Sequence, residues 1–224
     1  MKSQEISLLK NTHHGEDIYV LGSGPSMNYF NTAFFNNKII VGVNRICRYV
    51  KCDYTILKDA EGLEEINDSS QHGKIVASEY LHANKHAKIL NDKNKIDFFF
   101  WHECNNTNPK APNHSPDLSV ITKDSDKIVV SYSTITSAMH LAAYMGAKNI
   151  FLCGHDCCEI QGKAWVDGYY DNIKPVHEDQ QGYVGWLKQI KLHSVQVKFA
   201  IENNFDCNVF ELTPTLFRES VTYE

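Results

Sequence analysis

The chain has 224 residues, 42% of them hydrophobic and 22% charged, with Lys+Arg 22 against Asp+Glu 27. A chain of this length and balance buries a sizeable core and reads as a single domain over residues 1–224. The net charge of -5, with no long basic block, weighs against a nucleic-acid partner. The polar amino terminus is not expected to be a signal peptide, and no apolar run reaches membrane-spanning length. Seven cysteines, an odd number, then point to reduced thiols in a cytoplasm, with peripheral membrane contact left open.

In chain order, short apolar runs at Ile18–Leu21, Ile39–Val43, Tyr54–Leu57, Ile75–Ala77, Phe98–Trp101, Ile128–Val130, Ile150–Cys153 and Val209–Leu212 predict strands. Runs that are continuously apolar suit strands buried on both faces of a mostly parallel sheet. The expected fold is therefore α/β, a Rossmann-like three-layer arrangement. Ile135, Ala138, Met139 and Ala142 recur at helical spacing over Ser133–Met145, with Ser133 or Thr134 as cap and Gly146 as stop. A second helix is predicted over Gly185–Asn204 on the stripe Trp186, Ile190, Val197 and Ile201. Between them, residues 159–182 are polar and rich in Gly and Tyr, and read as a lid-like insertion. Residues 105–117 carry three prolines and predict an irregular excursion.

The first strand runs into "LGSGPSM". A glycine turn at the amino end of a helix aims amides at an anion, so Gly22, Ser23, Gly24, Pro25 and Ser26 are candidate phosphate contacts. Met27 stands where the dinucleotide fingerprint has its third glycine, and no Walker A string occurs. Asn44 and Arg45 follow the second predicted strand, Asp59 the third, and Gly154 and Asp156 the seventh. Open parallel sheets bind ligands beyond the carboxyl ends of their strands, and these clusters share that edge. Cys153, Cys157 and Cys158 lack the partner spacing of a zinc site. His155 and Asp156 leave a strand on opposite sides and are not expected to act as a pair. Phe98–Trp101 reads as core, and Asp124 with Asp126 as a solvated turn.

Together "LGSGPSM", "VGVNRI", "DYTILKD" and "STITSAMHLAAYMGAKNIFLCGHD" resemble a group of α/β transferases over about residues 17–156. One branch holds bacterial sialyltransferases related to the Campylobacter lipooligosaccharide enzyme. Another is the domain shared by motility-associated flagellin glycosyltransferases and the archaeal 6-hydroxymethylpterin diphosphokinase. The resemblance implies a nucleotide-activated donor, a CMP-linked sialic-acid-like sugar first, and a glycan, protein or other hydroxyl acceptor. It implies that Asn44, Thr136, Ser137, Gly154 and Asp156 line the donor site, while Ser23 stands where sialyltransferases have Asn. Asp59 matches the flagellin-transferase and pterin-kinase branch instead, where an acid would hold a metal such as Mg on a diphosphate. That branch gives the alternative reaction, a diphosphokinase using ATP and Mg on a pterin-like alcohol. The sialyltransferase lid carries two tyrosines against phosphate and a histidine base. Here Tyr169, Tyr170 and Tyr183 supply the former, and His193 and His177 compete for the latter.

Overall fold

The computed structural model describes residues 4–58, 63, 66, 69–78, 95–100, 115–170 and 180–212, with 180–184 by backbone alone. Among them eight strands form one sheet: β1 Gln4–Glu5, β2 Asp17–Leu21, β3 Ile39–Val43, β4 Tyr54–Leu57, β5 Lys74–Ser78, β6 Phe98–Phe100, β7 Asn149–Cys153 and β8 Asn208–Glu211. Their spatial order is β1-β6-β5-β4-β3-β2-β7-β8, and every pairing is parallel. The α/β architecture expected from the apolar runs is the one observed.

Alternation along the strands sends one set of side chains to each face. Ile18, Val20, Val41, Val43, Ile56, Ile150, Leu152 and Val209 pack under helices α1 (Thr134–Tyr144) and α2 (Gln180–Asn204), against Ile135, Met139, Val197 and Ile201. Leu21, Ile40, Leu57, Ile75, Phe99 and Cys153 face a second layer containing Met27, Phe35, Ile46, Val50, Val166 and Tyr169. The sheet is thus the middle of three layers.

Ser133 caps α1 by accepting from Ile135 N at 3.3 Å, and Gly146, at φ 90°, follows its carboxyl end. Helix α2 starts five residues earlier than predicted, taking residues 180–182 from the expected lid-like insertion and Gly182 besides Gly185, each glycine costing about 1 kcal/mol in a helix interior. No helix among the described residues is long and apolar enough to cross a membrane.

Two strand expectations differ from the structure. Strand β1 is an unexpected edge: two exposed polar residues paired with β6, too short to show alternation. Conversely, Ile128–Val130 is fully buried but belongs to no ladder. Side chains, not a neighbouring strand, hold its backbone, as described below. In the adjoining turn Asp126 accepts from Tyr144 OH at 2.5 Å, fastening the turn to α1.

At the outer edge, Val209 N donates to Glu202 Oε1 at 3.0 Å and Lys198 Nζ donates to Val209 O. Lys198 and Glu202 pair with each other at 2.7 Å. The other edge is the two-residue β1.

Candidate functional site

The loops that follow β2 and β7 are bonded to each other through the backbone. Gly22 N donates to Cys153 O at 2.8 Å, Gly24 N to Gly154 O at 2.7 Å, and Ser26 N to Asp156 Oδ2 at 2.8 Å. Such contact leaves no room for side chains. A Cβ on Gly24 would lie 2.4 Å from Asp156 Oδ2. One on Gly154, which sits at φ 66°, would lie 2.5 Å from Met27 Cγ. The expectation of an open ring of amides therefore needs correction: three of them serve the neighbouring loop. Only the Ser23 amide is without a partner among the described residues. Pro25 opens a 3-10 helix, Pro25–Tyr29, in place of a longer helix.

Burial pushes the Asp156 carboxyl above the usual carboxylate range, while the Ser26 hydroxyl and amide pull it back. His155 turns elsewhere, its ring nitrogens 3.7 and 3.8 Å from Cys157 Sγ. Burial and then the Lys191 charge push it down to about 4, so it is neutral at pH 7. The two neighbours do occupy separate environments.

Beyond β3, Asn44 at φ 52° begins the 3-10 helix Asn44–Arg48. The next residue, Arg45, is buried with its guanidinium carbon 4.6 Å from the Tyr169 ring centroid and 4.8 Å from that of Tyr170. Tyr49 stacks on Tyr169 at 6.4 Å, and Trp165 meets Tyr170 edge-on at 4.7 Å. The described part of the lid segment reaches this place by docking on the β2 loop. Val166 N donates to Ser23 O at 2.9 Å, Asp167 N to Asn28 Oδ1 at 2.8 Å, and Tyr29 OH to Gln161 Oε1 at 2.7 Å. Two residue sets chosen on separate grounds, Asn44 with Arg45 and Tyr169 with Tyr170, thus meet at one strand end.

The extended segment 128–133 forms a shelf before α1. Val129 N donates to His140 Nδ1 at 3.1 Å, and Ser137 Oγ donates to Val129 O at 2.7 Å. Thr136 Oγ1 lies 2.9 Å from Ser131 Oγ and donates to Ser133 O at 2.8 Å. From the sheet side, Lys58 Nζ donates to Ser131 O at 3.2 Å and Tyr132 O at 3.1 Å. These bonds replace a strand ladder and explain why a run that reads as a strand is none. They also place the Thr136 and Ser137 hydroxyls, both fully buried, on the shelf. Burial pushes His140 down to about 3, so it accepts as a neutral imidazole.

His193, on α2, is 2% exposed, and its ring lies parallel to Tyr132 at 5.5 Å and 6°. Asp59 and His177 lie outside the described residues, as does the Tyr183 side chain. Among the described residues no group of three or more His, Cys, Asp and Glu is placed to hold a metal ion. Lys58, Tyr132, Tyr49 and Trp165 were not singled out by sequence reasoning. Lys58 had a usable signal, its position at the end of β4 beside Asp59. An open cavity of about 540 Å³ lies at the opposite, amino end of the strands, lined by Glu16, Asp17, Tyr19, Lys38, Lys148 and Asn149. It contains none of the candidate residues.

A family model described as 6-hydroxymethylpterin diphosphokinase MptE-like matches residues 1–162. Among solved structures, the monofunctional alpha-2,3-sialyltransferase Cst-I from Campylobacter jejuni is similar at 14% identity and TM-score 0.47, over 90% of this chain and 77% of that one. The sialyltransferase CstII from the same organism, solved in complex with the substrate analogue cytidine-5'-monophosphate, is similar at 16% identity and TM-score 0.47, over 90% and 82%. A search among curated proteins found no match. The family match spans the β2 loop, Arg45, the shelf and Asp156 and stops short of the two tyrosines and α2. The chain belongs to the 6-hydroxymethylpterin diphosphokinase MptE-like family.

Proposed function

We propose that the chain is a glycosyltransferase that moves a sugar from a nucleotide-activated donor to a hydroxyl acceptor at the carboxyl edge of its sheet. A CMP-linked, sialic-acid-like sugar is the first candidate donor, and a glycan or a protein hydroxyl the acceptor. The observation that carries this reading is the meeting of Tyr169 and Tyr170 with Arg45 at the end of β3. A permanent cation beside two phenols would offer charge and hydroxyl donors to a leaving nucleotide phosphate. In the transfer, the acceptor oxygen forms a bond to the anomeric carbon as the bond from that carbon to the phosphate oxygen breaks. His193 takes the acceptor proton, a task that suits an imidazole near neutral pH. Asn44, Gly154 and Asp156 frame the donor, and the Thr136–Ser137 pair supports it from within the shelf; His177 is the competing base.

The family match favours a second reading, transfer of a diphosphate from ATP to a pterin-like alcohol, with Asp59 holding Mg. One experiment separates the two. CMP-, UDP- and GDP-sugars, and ATP with Mg and a pterin alcohol, are compared by thermal shift and product release. Stabilisation by a sugar nucleotide with release of its nucleotide supports the transferase, and Arg45→Met should weaken that binding at least about tenfold. AMP release with the pterin alcohol supports the kinase. Indifference to every nucleotide defeats both.

A further inference from the structure

Resting on the glycosyltransferase reading, the geometry points to Lys58 as a positioning residue for His193, acting through Tyr132. Successive carbonyls of an extended chain point to opposite sides. Ser131 O and Tyr132 O nevertheless both accept from one ammonium, because the chain bends at Tyr132 and Ser133. Lys58 therefore holds the bend itself. From the helix side, His140, Ser137 and Thr136 tie the shelf to α1. From the sheet side, the bonds described are those of Lys58, which leaves β4 directly after the buried Leu57.

The bend sets where the Tyr132 side chain starts, and its ring lies parallel to the next one. Ile190 and Val197 anchor α2 in the interior and thereby set the His193 backbone. They do not set the plane of its imidazole, because the outer torsion of histidine is broad. The parallel face of Tyr132 lies against that plane and helps to select it. A base must aim one nitrogen at the acceptor hydroxyl, and a misplacement of about 1 Å can cost on the order of a hundredfold in rate. Lys58 thus acts on the proton transfer across two contacts, without touching the donor.

The test uses the full chain with Lys58→Met, Lys58→Arg and Tyr132→Leu, a sugar-nucleotide donor, and proton NMR of the histidine rings. The His193 signal is assigned with His193→Asn. Lys58→Met should lower kcat about 10- to 100-fold while the donor KM stays within about twofold. Lys58→Arg, which can donate to both carbonyls, should recover most of the loss. The His193 ring resonance, shifted by the stacked Tyr132, should move in Lys58→Met toward its place in Tyr132→Leu. A raised donor KM with unchanged kcat would instead make Lys58 a donor contact and overturn the proposal. So would a His193 resonance that stays put. If Lys58→Met does not fold, Tyr132→Leu, which leaves Lys58 in place, must reproduce the kcat loss or the proposal falls. Should the native chain turn over no sugar nucleotide, the transferase reading fails on its own, and the resonance shift still decides whether Lys58 orients His193.

Discussion

Strand β7 and the shelf 128–133 look alike as sequence, each an apolar run bordered by polar residues, yet they are held in different ways. Strand β7 is bonded on both sides by β2 and β8, and its following loop is bonded to the β2 loop through backbone amides. The shelf has no ladder, and side chains of His140, Ser137, Thr136 and Lys58 take its backbone groups or neighbouring hydroxyls. Backbone-to-backbone bonding tolerates most side-chain changes and fails only where an added atom forces the strands apart. Bonding by side chains fails one residue at a time. The chain thus has a fixed wall at β2 and β7, and an adjustable one under Tyr132 and His193.

Four substitutions test this contrast, starting with the greatest loss. Gly154→Ala adds a Cβ into Met27 and the Gly22 carbonyl from a residue at φ 66°. It should destabilise by about 3 kcal/mol and lower Tm by about 6–12 °C in thermal unfolding. A Tm within a degree of the native one would mean the wall is not fixed.

The second concerns the shelf and pH. Unfolded chains take up a proton on His140 below about 6.5, whereas the native imidazole stays neutral down to about 3. Its contribution is therefore full above pH 6.5 and declines as pH falls through that window. Between pH 7.5 and pH 5 the native chain should lose about 2 kcal/mol from this source in urea unfolding. His140→Gln should remove that part of the slope; an unchanged slope would contradict a buried neutral imidazole.

Third, Ser137→Ala leaves Val129 O without its donor and should cost about 1–2 kcal/mol, with the loss confined to shelf amides in hydrogen exchange. Uniform loosening of β7 as well would erase the distinction between the two segments. Fourth and smallest, Lys163→Ala removes an exposed pair with Asp167 on the lid segment and should leave the unfolding midpoint unchanged within error.

Much of the fold is readable because a buried parallel strand needs a continuous apolar run, and β2, β3, β4, β5, β6 and β7 all have one. Strand β1 was unreadable for the converse reason: Gln4 and Glu5 are exposed and pair without burying anything. The shelf was misread because an apolar run reports burial and says nothing of where the amides and carbonyls bond. For the site, the shared edge was legible from polar residues at strand ends. The use of the glycine-loop amides was not, since their acceptors lie about 130 residues away along the chain, a separation no local pattern encodes. Lys58 stands at the strand end beside Asp59, but a lone lysine there has no spacing that names its partners. Its significance lies in two carbonyls brought to it by a distant bend.

The outer strand has a further consequence, for the behaviour of many copies rather than one. The backbone of Val209 faces away from the sheet, where a stray chain could extend the ladder indefinitely. Glu202 and Lys198 occupy its amide and carbonyl from α2, so the helix that covers one face also blocks the rim at Val209. Losing either charge would leave the fold recognisable while giving concentrated solutions a place to begin fibres.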